Sequence, residues 1–169
     1  VEVEGPIHET WPPASHRRIF GDLPQEPVKN GRFEVVSKDP LADADRILRD
    51  FARRAFRRAV TDADVKPLLA LVESKLAQKL SFEQAVRVGL AAVLVSPDFL
   101  FLREKPGTLD EFALAARVSY FLWSSMPDEE LLALAAREEL GTPAALRAQV
   151  DRRRRSPERI PSGSSRRSE

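Results

Sequence analysis

The stretch that decides the fold runs from Arg46 to Val65 and reads RILRDFARRAFRRAVTDADV. Its apolar side chains recur every four positions in two adjacent rows: Ile47, Phe51 and Ala55, and Leu48, Ala52 and Phe56. Residues at this interval share one face of a helix, so the stretch predicts a helix with a broad apolar face. Thr61, followed by Asp62 and Asp64, predicts the capped start of a second helix, because carboxylates favour the positive end of a helix.

Start signals on both sides of this stretch predict the remaining helices. The first helix begins at Asp39–Pro40, a capping residue followed by a proline. Further starts follow along the chain: Ser81–Gln84 and Thr108–Glu111 with capping-box spacing, Pro127, and Thr142–Pro143. The fourth of these helices is predicted to end near Trp123, and the fifth to close at Leu140–Gly141, where glycine suits a left-handed end.

Two features qualify the helical pattern. Pro67 is expected to kink or delay the second helix, because proline in a helix interior removes a backbone hydrogen bond. The third helix is nearly apolar from Val88 to Val95, which predicts the most buried element. The apolar run from Phe99 to Leu102 is expected to plug the core.

The first 40 residues differ from the rest. Val1–Glu4 alternates apolar and charged residues, which is typical of a half-buried strand, and 32–37 is β-prone. The segment from Trp11 to Pro27 contains four prolines and shows no helical period. The fold class is therefore mainly α: a helical bundle of about five or six helices with antiparallel neighbours, a short β or extended N-terminal segment, and a disordered C-terminal tail.

Composition excludes several classes of site. The 169 residues include no Cys, which excludes disulfides, thiolate zinc sites and C-x-x-C-H haem attachment within this chain. No apolar run is long enough for a membrane span, and the first residues do not form a signal peptide. The formal net charge is +1, but residues 151–169 hold seven Arg against three acidic residues. Residues 152–169 are therefore predicted to be a disordered Arg/Ser-rich tail.

The two histidines, His8 and His16, are interpreted as exposed loop residues. Their spacing matches no known metal pair, although Glu9 could supply a third ligand in the alternative reading. We predict no catalytic, cofactor-binding or metal-binding residue, and none of the common nucleotide-binding, hydrolase or metalloprotease motifs occurs.

Two clusters near the C-terminal half have structural and functional interpretations. The run Asp128, Glu129 and Glu130 is interpreted as a favourable acidic helix start, with paired-carboxylate catalysis as the alternative. The aromatic group is expected to be core, with stacking on a sugar or another ring as the alternative: Tyr120, Phe121, Trp123 and Met126.

The arginines have local and external interpretations too. Six of them line the first helix: Arg46, Arg49, Arg53, Arg54, Arg57 and Arg58. Pairing with nearby Asp43, Asp45 and Asp50 is favoured over contact with an anionic partner. The tail could bind nucleic acid through phosphates, but it lacks interleaved aromatics, and we consider nucleic acid an unfavoured partner. Arg154–Pro157 also has the pattern of a phosphorylation site.

Two motifs carry a family resemblance. The stretch 46–65 together with 92–101 (AVLVSPDFLF) resembles the domain of unknown function 1595 (DUF1595). The stretch 114–132 (LAARVSYFLWSSMPDEELL) is similar to the start of the domain of unknown function 1592 (DUF1592). The segment from 4–7 to 17–20 resembles the sequence that leads into these domains.

The resemblance implies a setting rather than a site. Such modules are typical of large planctomycete-type multidomain proteins that also carry c-type cytochrome and carbohydrate-binding-like modules. It therefore implies an extracytoplasmic or periplasmic location, with haem c, if present, elsewhere in the parent protein. The pattern stops near Asp151, which suggests a truncated parent or a changed reading frame.

These observations divide the chain into four parts. Residues 1–40 are the end of a preceding domain plus a linker, 41–106 the DUF1595-like module, 107–151 the start of the DUF1592-like module, and 152–169 the tail. The expected function is a non-catalytic structural or interaction module that contacts neighbouring domains of the same polypeptide, and also a polysaccharide or a redox partner. The alternative is part of a polysaccharide-active or redox enzyme whose site lies in other domains.

Overall fold

The structure, a computed structural model, describes residues 12–28, 32–101 and 107–155. The chain divides into two compact units, Val1–Glu104 and Lys105–Glu169. The first unit contains α1 (Ala14–Phe20), β1 (Gln25–Pro27), β2 (Phe33–Val35), α2 (Pro40–Phe56), α3 (Asp62–Ala77), α4 (Phe82–Leu94) and α5 (Pro97–Leu100). The second contains α6 (Glu111–Trp123), α7 (Glu129–Ala136) and α8 (Pro143–Arg155). The mainly helical class is confirmed, and the six longest helices are the six that the sequence predicts.

The core of the first unit lies where α2, α3 and α4 pack against one another. Both predicted rows of α2 face it: Ile47, Leu48, Ala52, Ala55 and Phe56 are buried, and Phe51 is half-buried. Gly89 allows α4 to approach closely, because a Cβ there would lie 2.9 Å from Val72 Cγ2 and 3.0 Å from Leu48 Cδ2. Both distances are shorter than ordinary carbon–carbon contacts, so a larger residue would force the helices apart.

Side chains cap these helices much as predicted. Asp39 accepts a hydrogen bond from the backbone N–H of Ala42 at 3.3 Å, and Ser81 accepts one from Gln84 at 3.3 Å. The second helix begins at Asp62 and runs through Pro67 to Ala77, so the predicted delay by Pro67 is wrong. A proline there leaves one carbonyl without its helical donor, but packing of the neighbouring turns against the core outweighs this loss.

Further predictions for the first unit also need correction. Residues 14–20 form α1, which was not predicted. These seven residues are too few to show an apolar period, and the large apolar ones, Ile19 and Phe20, lie together at the end of the helix. The β-prone segment does form β2, but its partner is β1, Gln25–Pro27, inside the proline-rich stretch; the two strands pair antiparallel. The run from Phe99 onward does not plug the core, because Leu100 and Phe101 are exposed and only Phe99 packs against it. Leu102, like the strand predicted at Val1–Glu4, lies outside the described residues.

The second unit has a smaller core. Its buried members come from α6, α7 and the turn after α7: Ala115, Leu131, Ala135 and Leu140. Three half-buried side chains pack against them: Phe112, Leu114 and Leu146. The cap of α6 is Asp110, which accepts from the N–H of Ala113 at 2.7 Å, so the predicted Thr108 cap is wrong. Thr142 caps α8 as predicted, accepting from Ala145 at 3.2 Å.

The ends of α7 and α8 also differ from expectation. α7 ends at Ala136, and Glu138 rather than Gly141 takes the left-handed conformation, with φ at 56°. Gly141 lies close to Glu111 instead, since a Cβ there would be 2.6 Å from Glu111 Oε1 and this carboxylate would have to shift. α8 continues to Arg155, so the predicted disorder is wrong for residues 152–155; residues 156–169, including the Ser156–Pro157 motif, lie outside the described residues. Among the described helices, none has the length and apolar character needed to cross a membrane.

Candidate interaction surfaces

The arginines of α2 are used mainly within the first unit. Arg49 bonds Asp45 and Asp62, each at 2.7 Å, and these carboxylates raise its pKa. Arg46 pairs with Asp43 at 3.4 Å, and neither Arg53 nor Arg54 is without a partner. The predicted local pairing is therefore confirmed for Asp43 and Asp45.

Arg58 joins three elements at the end of α2. Its guanidinium donates to both oxygens of Asp64, at 2.9 Å and 2.8 Å, and lies 3.3 Å from Asp98. Asp64 also accepts from the N–H and the hydroxyl of Thr61, each at 2.8 Å. The hydrogen bonds from Arg58 are the main reason that the pKa of Asp64 lies well below its usual range, with those from Thr61 adding to the effect.

Arg57 is a buried cation that ends α2 in the left-handed region, with φ at 55°. Its Nη2 donates to the backbone carbonyls of Asp98, Phe99 and Phe101, at 3.3, 3.1 and 3.4 Å. Asp98 and Phe99 lie in α5 and Phe101 directly follows it, where the last carbonyls of a helix lack internal donors. Arg57 thus fixes the position of α5, and its buried Nε has no hydrogen-bond partner.

One of the residues bound by Arg57, Phe101, belongs to a group of exposed apolar side chains that is here called the α4–α5 surface: Leu94, Val95, Leu100 and Phe101. Val95 is 72% exposed, Leu100 59% and Phe101 64%. The surface combines the end of the helix that was predicted to be most buried with the run predicted to plug the core. Periodicity shows which residues share a face, but it does not show whether anything covers that face.

His16 lies on α1 and is half-buried, so its interpretation as an exposed loop residue is wrong. Its ring lies 4.8 Å from that of Phe20, and its Nδ1 lies 3.5 Å from Gln25 Nε2. Its Nε2 lies 3.9 Å from Glu83 Oε1. His8 and Glu9 lie outside the described residues.

Glu83 is a buried carboxylate that the sequence interpretation did not single out. Its Oε2 accepts the backbone N–H of Val35 at 2.8 Å, and its Oε1 accepts from Arg87 at 2.6 Å. A buried charge is tolerated when it is paired and hydrogen-bonded in this way. Glu83 therefore ties β2 to α4, and the i,i+4 pair with Arg87 was the only local sign of it.

The acidic run at the start of α7 has a structural role, as predicted. Asp128 caps the helix by accepting from the N–H of Leu131 at 2.9 Å. Arg152 bonds Asp128 at 2.7 Å and Glu130 at 3.1 Å, and so connects α8 to this helix start. The first arginine of the predicted tail is therefore part of the second unit.

The structure divides the aromatic group of α6 into two sets. Tyr120 and Trp123 are half-buried, whereas Phe121 is 87% exposed and Met126 46% exposed. Leu122 is also exposed, at 39%. The prediction that the whole group is core is therefore wrong for Phe121 and Met126. Phe121, Leu122 and Met126 form a second exposed apolar surface, here called the α6 surface.

In the described part of the chain, no three His, Asp or Glu side chains converge in a way that could hold a metal ion. Each of the two units therefore has one exposed apolar surface among its described residues, and internal ion pairs stabilise both units. Such surfaces suit contacts with another apolar surface.

Two family models match the chain. Residues 43–104 match the model described as Protein of unknown function (DUF1595), and residues 109–161 match the model described as Protein of unknown function (DUF1592). No curated protein and no solved structure matches it. The motifs of α2, α5 and α6 fall inside these matches, and the chain carries sequence of both the DUF1595 and the DUF1592 families, in that order.

Proposed function

We propose that this chain is a non-catalytic structural and interaction module that holds neighbouring domains of a larger polypeptide through its α4–α5 and α6 surfaces. The observation that carries the proposal is the exposure of large apolar side chains on units that are otherwise well packed. Val95, Phe101 and Phe121 are each more than three-fifths exposed. Groups of exposed large apolar side chains mark sites of contact with other proteins or domains.

The charged residues support this proposal over a catalytic one. Arg49 of α2 and Arg58, just after it, pair with carboxylates of the same unit, and Arg57 donates to backbone carbonyls. The acidic run at Asp128 is occupied with capping and with Arg152. Each of these groups has a partner that explains its position without a substrate.

Labelling of introduced cysteines tests the proposal, because the chain has no Cys of its own. Val95→Cys and Phe121→Cys should react with maleimide roughly tenfold more slowly in the natural polypeptide than in this chain alone, since a docked domain covers them. Glu73→Cys, at an exposed position of α3, is the matched control and should react equally in both. Equal labelling at positions 95 and 121 in the two proteins would contradict the proposal.

The setting is part of the same proposal and rests on the family resemblance. We propose an extracytoplasmic polypeptide with a c-type cytochrome companion domain; the haem would bind outside this chain, which has no Cys. The natural gene tests this directly: it should encode a C-x-x-C-H motif and an export signal. A gene with neither would refute the setting and leave the interaction role to the labelling experiment.

A further inference from the structure

We infer that the α6 surface binds an amphipathic helix that belongs to an adjoining domain of the same polypeptide. This inference rests on the proposed function and names the partner of one of its two surfaces. α6 is apolar on nearly every side: its only charged residues are Glu111 and Arg117. A helix with apolar residues all round is normally buried all round. In the described residues, α6 fully buries only Ala115, Ala116 and Ser119, while Phe112 and Leu114 near its start pack against the same core.

A second apolar row runs along another side of α6. Its members follow the spacing i, i+4, i+7 and i+8: Leu114, Val118, Phe121 and Leu122. This is the spacing with which one helix meets another in a groove. Leu114 and Val118 are half-buried, whereas Phe121 is 87% exposed, so the row is open towards the C-terminal half of α6. Met126 extends the open part beyond the helix end.

The area of the open part argues against a second copy of this chain as the occupant. The exposed portions of Phe121, Leu122 and Met126 amount to roughly 350 Å² per copy, taking 150–250 Å² for a large side chain. A symmetric pair would bury only about 700 Å² of this apolar surface, which is small beside the roughly 1,200 Å² that stable interfaces between separate proteins bury in total. A tethered domain needs less area, because a linker supplies an effective concentration in the millimolar range.

The charges argue against a lipid surface. Helices that lie on membranes combine an apolar face with a polar face rich in Lys and Arg. α6 has a single basic residue, Arg117, which already has a partner. The other charged residue of α6, Glu111, is bound within its own unit, because its carboxylate accepts the N–H of Leu140 at 2.6 Å. α6 therefore lacks the basic polar face of a membrane-surface helix.

The shape of the row specifies the partner helix. Phe121 is the most exposed side chain of the row. When two helices pack, the side chains of one enter the grooves between the side-chain rows of the other. The partner helix should therefore have a small residue, Ala or Gly, opposite the ring of Phe121. The partner should carry an apolar stripe at i, i+3 or i+4 and i+7 around that small residue, with polar residues on its outer face.

Photo-cross-linking from position 121 tests the inference in the natural polypeptide. With p-benzoylphenylalanine in place of Phe121, we expect cross-links to one helix of the same polypeptide, roughly tenfold more than from position 147 of α8, which is exposed but not apolar. The yield should not change with protein concentration, because the partner is tethered. Phe121→Leu should retain docking of that helix, measured by its amide exchange, and Phe121→Asp should abolish it.

Several results would overturn the inference. They are cross-links to a second copy that grow with concentration, cross-links to lipid or to a non-helical segment, and no excess over position 147. Circular dichroism of Phe121→Asp checks that the second unit stays folded, which we expect because this side chain is solvent-exposed. If position 121 fails while Val95→Cys remains protected, the proposed function stands and only the helix partner is wrong. If both positions are unprotected, the proposed function fails as well.

Discussion

At the scale of single residues, Asp64 illustrates how one carboxylate can hold a helix start in place. It accepts four hydrogen bonds, two from Arg58 and two from Thr61. All four favour the charged carboxylate, which is why the pKa is lowered. A group with a lowered pKa in the folded state stabilises the fold above the pKa of the unfolded chain and loses that effect as the pH falls.

Asp64→Asn should therefore destabilise the first unit by about 1–2 kcal/mol at pH 7, in the range of lost helix caps. The difference from the wild type should begin to shrink as the pH falls through about 4, the usual pKa of an unfolded Asp, and continue to shrink below it. Urea unfolding at pH 7 and at a series of acid pH values measures this. Asp62→Asn is the matched control, since its carboxylate is 92% exposed and its pair with Arg49 should contribute less. A difference that does not change with pH would contradict the prediction.

At the scale of elements, α3 and α7 end in the same way. In each, a residue in the left-handed conformation, Lys79 or Glu138, is enclosed by two backbone hydrogen bonds. Leu80 N–H donates to Lys75, and Glu139 N–H donates to Leu134, both spanning six residues. These are Schellman ends, in which glycine is usual because a Cβ is unfavourable there.

Replacing these residues with glycine should stabilise the protein. We expect a gain of about 0.5–1 kcal/mol for Glu138→Gly, and less for Lys79→Gly, since a carboxylate is unfavourable at a helix C-terminus and an ammonium is favourable. Chemical unfolding monitored by circular dichroism measures both. Ala136→Gly, within α7, should instead cost about 1 kcal/mol. A loss of stability in both Lys79→Gly and Glu138→Gly would show that the left-handed conformation of these residues carries no strain.

These ends also explain which boundaries the sequence could not predict. Helix starts were mostly predicted, because Asp39, Thr61, Ser81 and Thr142 announce them with side-chain caps. The end of α7 was placed too late because Gly141 has the usual residue type, whereas Glu138 adopts the conformation. A non-glycine residue can adopt this conformation when tertiary packing offsets its cost. A local sequence pattern contains no information about that packing.

At the scale of the whole molecule, the same distinction separates the helices from the surfaces. The rows of α2 predicted its buried face, but the row of α6 ends in Phe121 and Leu122, which are exposed. Both rows have the composition of a core. What differs is whether another described element covers them, and the local pattern does not contain that information. The α4–α5 and α6 surfaces could therefore be predicted as apolar faces, but not as exposed ones.

Glu83 shows the converse limit, since its contact with Val35 spans 48 residues. Glu83→Gln keeps an oxygen that can accept the N–H of Val35, but loses the charge that binds Arg87. We expect a loss of about 1–3 kcal/mol in unfolding free energy, together with faster amide exchange at Val35. Glu73→Gln, at an exposed position of α3, should change stability by less than about 0.5 kcal/mol. Equal stabilities of the two variants would mean that the buried charge contributes nothing.

The link from Glu83 to Val35 also sets an order of events during synthesis. β1 and β2 have three residues each, and an isolated two-stranded hairpin is marginally stable in water. The carboxylate that completes it is added 48 residues after Val35, which at about 5–20 residues per second is a delay of roughly 2 to 10 s. During that interval the two strands lack this hydrogen bond, and it forms only after α4 has left the ribosome. A protease or chaperone that acts on nascent chains would therefore have access to these two strands during that interval.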